Sequence, residues 1–391
     1  MAAVIALDAM GGDAAPGPEV AGAVEAVRKR GARLILLGDE PRLRAELQRL
    51  HATDLDIPIR HCTEVITMHD HPGTAARSKR DSSMRVAFEL VRKGEAQAVV
   101  SAGNSGAMLA CGLLVLRRVR GLDRPGIAVT LPRLRRPPGA TPSVGQCLLL
   151  DTGANVEVKP QTLAQFAVLG ATFARLRQIA DGPRPRIGLL ANGEEESKGT
   201  LLLRETHALL RAHPSDDFEY VGFVEGRDLF LWSREGSGVD VVVTDGFTGN
   251  VVLKTAEGAG RFIAELLRAE VKRSWLAQLG ALLMRPALGA LKQVVDVEAR
   301  GGAPLLGVEG VVIICHGRSS ARAIARAIEV AEEHVNAGLL PAMQRAIAQN
   351  RALGTAGAPA PNPPGSPSLN PSGSAAAPPA VPTSGGATEK E

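Results

Sequence analysis

Short apolar runs recur along the chain, at Ala3–Leu7, Arg33–Leu37, Ala98–Ser101, Ile127–Leu131, Cys147–Leu150, Ile187–Leu190, Tyr220–Val224, Val239–Thr244 and Val311–Cys315. Runs of this length, apolar at successive positions, suit strands buried on both faces. Between them lie stretches whose apolar residues return at helical spacing: Pro18–Arg30, Ser83–Lys93, Leu163–Ala180, Val251–Lys272 and Ser320–Asn336. The alternation predicts an α/β domain over residues 1–353, a mostly parallel sheet flanked by helices. From Gly354 to Glu391 the chain is Pro, Ser, Gly, Ala and Asn with almost no large apolar residue, and it is expected to form a disordered tail outside the fold.

Five of the strand-like runs end alike, in a small polar residue and glycines ahead of a helix: Asp8–Asp13, Ser101–Gly106, Asp151–Asn155, Asn192–Glu194 and Asp245–Asn250. At the carboxyl edge of an open parallel sheet such loops would share one crevice. Glycine lets the backbone approach an anion closely, and the first N–H groups of the next helix point at it. The set points to a phosphate-like ligand. No GxxxxGK[ST] and no GxGxxG opening a helix after a strand is present, which disfavours ATP and dinucleotides. Gly103-Asn104-Ser105-Gly106-Ala107 lacks the last glycine of a nucleophile elbow, so Ser105 suits a helix cap or an anion ligand. Cys111, Cys147 and Cys315 lie in apolar stretches that suit core packing. Anion-binding loops without a nucleophile fit a reaction in which bound phosphate itself attacks.

Composition narrows the partners. The net charge is only +4 over 391 residues and aromatics are 3%, too few rings on which to stack bases, so a nucleic-acid partner is not expected. Mild basicity suits phosphate, an acidic carrier or a lipid headgroup surface. The four cysteines form no CxxC pair, which reads as buried thiols in a reducing cytosol, and no metal is expected. His69 and His71 fit a surface loop better than a metal pair. Met1–Leu7 runs into Asp8 without a basic leader, so export is not expected.

Asp8–Asp13, Ser82–Ala87, Ser101–Ala107, Asp151–Asn155, Asn192–Gly199, Asp245–Asn250 with Lys254-Thr255, and Gly302–Gly307 through to His316-Gly317 follow one another in an order that resembles the PlsX family of phosphate acyltransferases. The resemblance runs from about Val4 to Val335. It implies a fold similar to the isocitrate and isopropylmalate dehydrogenases and phosphotransacetylase, a homodimer, and no cofactor. The implied reaction moves a fatty acyl group from acyl carrier protein to inorganic phosphate. The acyl phosphate then passes to a membrane glycerol-3-phosphate acyltransferase for phospholipid synthesis. Arg300 stands where many relatives carry an aromatic residue, and the Pro-rich tail has no counterpart in the family pattern.

Candidate phosphate-binding residues are accordingly Asp8, Gly11, Gly12, Asp13, Ser101, Gly103, Asn104, Ser105, Asn155, Lys198, Asp245, Thr248 and Gly249. Asp8, Asp151 and Asp245 fit structural ties as well as a direct role. Asn250, Lys254 and His316 are the candidate catalytic residues. On a helix beginning near Thr248, Asn250 and Lys254 share a face, and an unpaired cation there opposes the dipole unless an anion binds. His316 closes the last strand, where it fits a structural histidine or the proton donor to a departing thiolate. Lys272–Arg285 is too short an apolar stretch to span a bilayer; its Trp and leucines between basic residues suit a subunit contact or an interfacial helix, hence a cytoplasmic protein peripheral on the membrane's inner face. An acyl-CoA phosphotransacetylase, a dehydrogenase of related fold and a non-catalytic membrane scaffold are the alternatives weighed.

Overall fold

The structure is a computed structural model that describes residues 3–135, 141, 143–180, 182–231, 238–295 and 300–355. Of the tail expected from Gly354, only Gly354 and Thr355 fall among these, ending a short helix; the rest lies outside the described residues.

Among the described residues eleven strands form the sheet: β1 (Val4–Asp8), β2 (Arg33–Gly38), β3 (Ile59–His61), β4 (Ala98–Ser101), β5 (Gly126–Arg135), β6 (Ser143–Leu150), β7 (Arg186–Leu190), β8 (Glu219–Val224), β9 (Val241–Val243), β10 (Ala303–Leu306) and β11 (Val311–Ile314). The helices are α1 (Gly17–Arg30), α2 (Glu40–Arg49), α3 (Pro72–Ser78), α4 (Ser83–Lys93), α5 (Ser105–Cys111), α6 (Pro160–Leu176), α7 (Leu201–Ala212), α8 (Gly246–Lys272), α9 (Trp275–Leu283), α10 (Arg285–Val295), α11 (Ala321–Asn336), α12 (Leu339–Gln349) and α13 (Ala352–Thr355). The expected α/β class, a mostly parallel sheet flanked by helices, is the one that forms.

The strand order is β3-β2-β1-β4-β11-β10-β5-β6-β9-β7-β8. β3, β2, β1, β4 and β11 run parallel, as do β6, β9, β7 and β8. Three antiparallel pairings intervene, β11 with β10, β10 with β5 and β5 with β6, so the two parallel halves point in opposite directions. The shared carboxyl edge assumed for all five loops therefore does not form. Loops after β1, β4 and β11 leave one end of the strands, and those after β6, β7 and β9 leave the other. Between the halves, β10 pairs through Ala303 and Pro304 with β11 and through Leu305 and Leu306 with β5.

The inner strands of each half are covered on both faces, which is why they are largely apolar. β1 and β4 turn Ile5, Leu7, Ala98 and Val100 toward a core shared with α1 and α11, and Ala6 and Val99 toward one shared with α4 and α5. In the other half α6 is buried from Thr162 to Ala174 and packs with α7 and α12. Burying a side chain such as Phe166 contributes about 2 kcal/mol. Local chemistry sets the boundaries: Ser82 caps α4 by accepting the Arg85 N–H, and Gly94, with φ of 79°, closes it in the left-handed conformation.

α8 departs from this pattern. It runs 27 residues and buries only Gly246 and Gly249, both in its first turn. Phe262, Ile263, Leu266 and Leu267 on α8, and Trp275, Leu276, Leu279, Leu282 and Leu283 on α9, are exposed. Among the described residues no helix is long and apolar enough to cross a membrane.

Candidate active site

Hydrogen bonds sort the candidate loops into two networks on either side of β10. The first gathers the ends of β1, β4 and β11. Asp8, 1% exposed, accepts from Ser101 Oγ at 2.7 Å, from the Met10 N–H at 3.2 Å and from the Ser83 hydroxyl. Burial raises its pKa against the pull of those donors. Ser101 Oγ in turn accepts the Gly103 N–H at 3.0 Å. Gly11 lies against this pair: a Cβ there would stand 2.6 Å from Asp8 Oδ2 and 2.9 Å from the Gly103 nitrogen, so only glycine fits. The Asp13 N–H donates to the Gly317 carbonyl at 2.8 Å, which ties the first loop to His316.

Asn104 opens α5, its Oδ1 accepting the Ala107 N–H at 3.1 Å. Its amide nitrogen donates to the carbonyls of Met68 and Asp70, each at 3.3 Å, and holds that loop against the helix start. Ser105 is exposed and makes no side-chain bond among the described residues. His316, also exposed, accepts the Arg318 N–H on Nδ1 at 3.1 Å. An accepting Nδ1 leaves the neutral ring's proton on Nε2.

The second network is built on Asp151, which is wholly buried. Its carboxylate accepts the N–H groups of Ile127 (3.0 Å), Gly153 (3.1 Å), Ala154 (2.9 Å) and Asn155 (2.8 Å), and the Asn155 side-chain amide (2.9 Å). Burial pushes its pKa up, yet every partner is a donor, so the ionised form is the one the site satisfies. Asn155 also donates to the Pro125 carbonyl at 2.7 Å, and its own carbonyl accepts the Gly246 N–H at 2.7 Å, which docks the start of α8. Asp245 caps that helix, taking the Thr248 N–H and hydroxyl, each at 2.8 Å, while Gly249 packs on the Asp151 backbone where no Cβ would fit.

Several expectations are corrected here. α8 begins at Gly246 rather than near Thr248, so Lys254 sits more than two turns from the cap, beyond the helix's positive end. Nor is it unpaired: its Nζ lies 2.9 Å from Glu257 and its side chain is half exposed. The donors of Gly246, Thr248 and Gly249 are taken by Asn155 and Asp245, so the anion site expected at Thr248–Asn250 has its backbone N–H groups already spent. Asp151 and Asp245 act as ties and caps. Lys198 lies in the loop after β7, in neither network; Glu194 and Glu196 there pair with Arg227 and Arg211 rather than with it. His316 belongs to the first network and Asn250 and Lys254 to the second, and among the described residues no hydrogen bond or ion pair joins them.

Glu19 is the residue that the reading of the loops overlooked. It is 1% exposed in the first turn of α1, with its carboxyl against Gly12. Its position four and seven residues before Ala23 and Ala26, on the helix's buried face, is the signal that could have found it. All four cysteines are buried, with thiol pKa values pushed up to about 12 by desolvation, which removes them as nucleophiles near neutral pH. Among the described residues no group of three or more His, Cys, Asp or Glu side chains could hold a metal ion.

Residues 3–341 match the family described as fatty acid synthesis protein. A curated phosphate acyltransferase from Syntrophotalea carbinolica is 52% identical over 333 residues, covering 85% of this chain and 90% of its own. One from Geobacter sulfurreducens is 50% identical over 335 residues, covering 86% and 91%. Among solved structures, a phosphotransacetylase from Streptococcus pyogenes superposes with a TM-score of 0.59 at 18% identity, covering 85% of this chain and 94% of its own. The EutD phosphotransacetylase from Staphylococcus aureus gives 0.52 at 15% identity, over 85% and 94%. At such identity the likeness concerns the fold alone.

If Asp151 is a tie rather than a reactant, Asp151→Asn turns an amide toward the backbone donors and lowers the free energy of unfolding by about 2–4 kcal/mol. Urea unfolding reads this directly. An inactive variant of undiminished stability would make Asp151 catalytic instead.

Proposed function

The chain belongs to the fatty acid synthesis protein family and is a phosphate acyltransferase, and from that premise we propose that the phosphate it acylates is received at the first network. The enzyme takes a fatty acyl group from acyl carrier protein and forms acyl phosphate. One observation carries the placement. In the first network the N–H groups of Gly11, Ser105 and Gly106 have no acceptor among the described residues, whereas in the second Asp151, Asn155 and Asp245 take those of Gly153, Ala154, Asn155, Gly246 and Thr248 and leave Phe247 alone open at the start of α8. Backbone donors require partners, and a phosphate dianion supplies them.

In this reading phosphate lies between the Gly11–Asp13 loop and the start of α5, with Gly12, Gly103 and Asn104 shaping the cradle. A phosphate oxygen attacks the thioester carbonyl, the C–S bond breaks as the tetrahedral adduct collapses, and the carrier's thiolate leaves. His316, with its proton on Nε2, protonates that thiolate. Asn250 and Lys254, both exposed on α8, are the candidates to offset charge on the thioester oxygen, because the Asp151–Asn155 loop that docks α8 packs through Ala154 on the core that holds Ala107, Met108 and Cys111 of α5. Attack by phosphate rather than by the protein accords with the buried thiols and with a Ser105 whose hydroxyl makes no side-chain hydrogen bond among the described residues.

Association is proposed on the same footing. The exposed apolar residues of α8 and α9, flanked by Lys272, Arg273 and Arg285, suit either a second copy of the chain, giving a homodimer, or the headgroup layer of an anionic membrane, where a membrane glycerol-3-phosphate acyltransferase would take the product.

Incubation with acyl carrier protein thioester and hydroxylamine yields acyl hydroxamate only when phosphate is present; thioester loss without phosphate would sink the assignment. In the same assay Lys254→Met lowers turnover by about 10²-fold, with stability within about 0.5 kcal/mol of wild type because only an exposed ion pair is lost. A fully active variant would remove Lys254 from the site. Replacing Leu279, Leu282 and Leu283 with Ser releases the protein from anionic liposomes while turnover in solution persists; retained binding would refute the membrane contact.

A further inference from the structure

The Glu19 carboxyl lies directly behind the Gly11–Asp13 loop, closed off from solvent. The backbone N–H groups of Gly12 and of Glu19 itself favour its ionised form, and its Oε1 fills the space where any side chain at residue 12 would begin. Its other oxygen, Oε2, is buried and has no hydrogen-bond partner. A buried carboxylate lacking a cation or a full set of donors is an expensive group to keep ionised. The titratable groups that act on it are acidic: Asp8 from β1 and Asp13 from the loop itself, with the neutral Cys315 thiol just after β11. Nearby cations are spent elsewhere: Arg318 pairs with Asp13 at 3.8 Å, and Arg42 of α2 donates to the Ala15 carbonyl at 3.2 Å. Where α11 packs on the Glu19 end of α1, at Gly22, it presents the Ala321 backbone and Ile324, neither of which titrates; its Glu329 and Glu332 pair with Arg30 at the far end of the helix.

We propose that Glu19 is a positioning residue coupled to phosphate: the neutral carboxyl supports the Gly11–Asp13 loop in a shape and potential that admit a dianion, and the ionised carboxyl opposes it. This rests on the reading that the loop receives phosphate. Burial and the two aspartates hold the Glu19 pKa up, at about 7, so its charge changes within the working range. A negative charge set behind the loop repels phosphate, and by linkage bound phosphate favours the protonated carboxyl to the same degree. The sign follows. Below pH 7 the carboxyl is neutral and phosphate binds without penalty; above it the proton is lost and affinity falls.

Phosphate changes its own charge over the same range, so the informative quantity is a ratio. Glu19→Gln keeps an oxygen for the Gly12 N–H and stays neutral at every pH. The phosphate KM of wild type divided by that of the variant is expected near one at pH 6 and about threefold or more at pH 8.5, with kcat at saturating phosphate changing less than KM. Phosphate's titration is common to both proteins and cancels. A ratio that stays flat with pH overturns the coupling. Should Glu19→Gln unfold early in a thermal scan, Glu19→Met serves: a purely structural role raises its KM by the same factor at all pH values, whereas the coupling makes the ratio climb with pH. Asp13→Asn separates the two levels. If it leaves the phosphate KM unchanged, phosphate does not approach this loop and the placement itself fails; if it shifts KM while the Glu19 ratio stays flat, only the coupling fails.

Discussion

The Asp151 carboxylate stands at the point where the two opposed halves of the sheet meet, and the architecture around the second network depends on its five donors. It binds the Ile127 N–H at the start of β5, the turn that follows β6, and the Asn155 amide, through which α8 is docked. Ile127 is also the residue of β5 that pairs with Leu305 of β10, so the same carboxylate fixes the strand through which the first half is joined to the second. A buried acceptor with this many donors is satisfied only in one geometry, and the short β10 sets how the halves are offset.

Counting backbone donors separates loops that look alike. In the second network a carboxylate of the protein occupies the place an external anion could take; in the first, the Asp8 carboxylate is satisfied mainly by hydroxyls, and the N–H groups at Gly11 and the opening of α5 remain open. Glycine and polar residues at a strand end thus serve two purposes here, and which one is served follows from whether an internal acidic side chain already fills the nest.

The helices and central strands were legible because their apolar spacing is regular, as at Val4–Asp8, Ala98–Ser101 and Val311–Ile314. β3 and β10 were not: Ile59–His61 is three residues at a sheet edge, two of them polar, and Ala303–Leu306 holds a proline and crosses between partners. The reversal between halves also escaped, since alternation of strands and helices carries no sign of direction when β5 and β6 form one antiparallel pair. At the site, the loop residues could be named from glycine and cap chemistry. Their division into two networks, the ion pair of Lys254 with Glu257 and the orphan oxygen of Glu19 depend on tertiary placement that no local pattern encodes.

The central claim is that phosphate attacks the thioester directly, with no acyl group ever carried by the protein. Exchange of label between acyl carrier protein thioester and free acyl carrier protein, measured without phosphate, tests it most directly. The account predicts no exchange until phosphate is added. Exchange in its absence would show an acyl-enzyme formed on a side chain of this chain, and would contradict the claim.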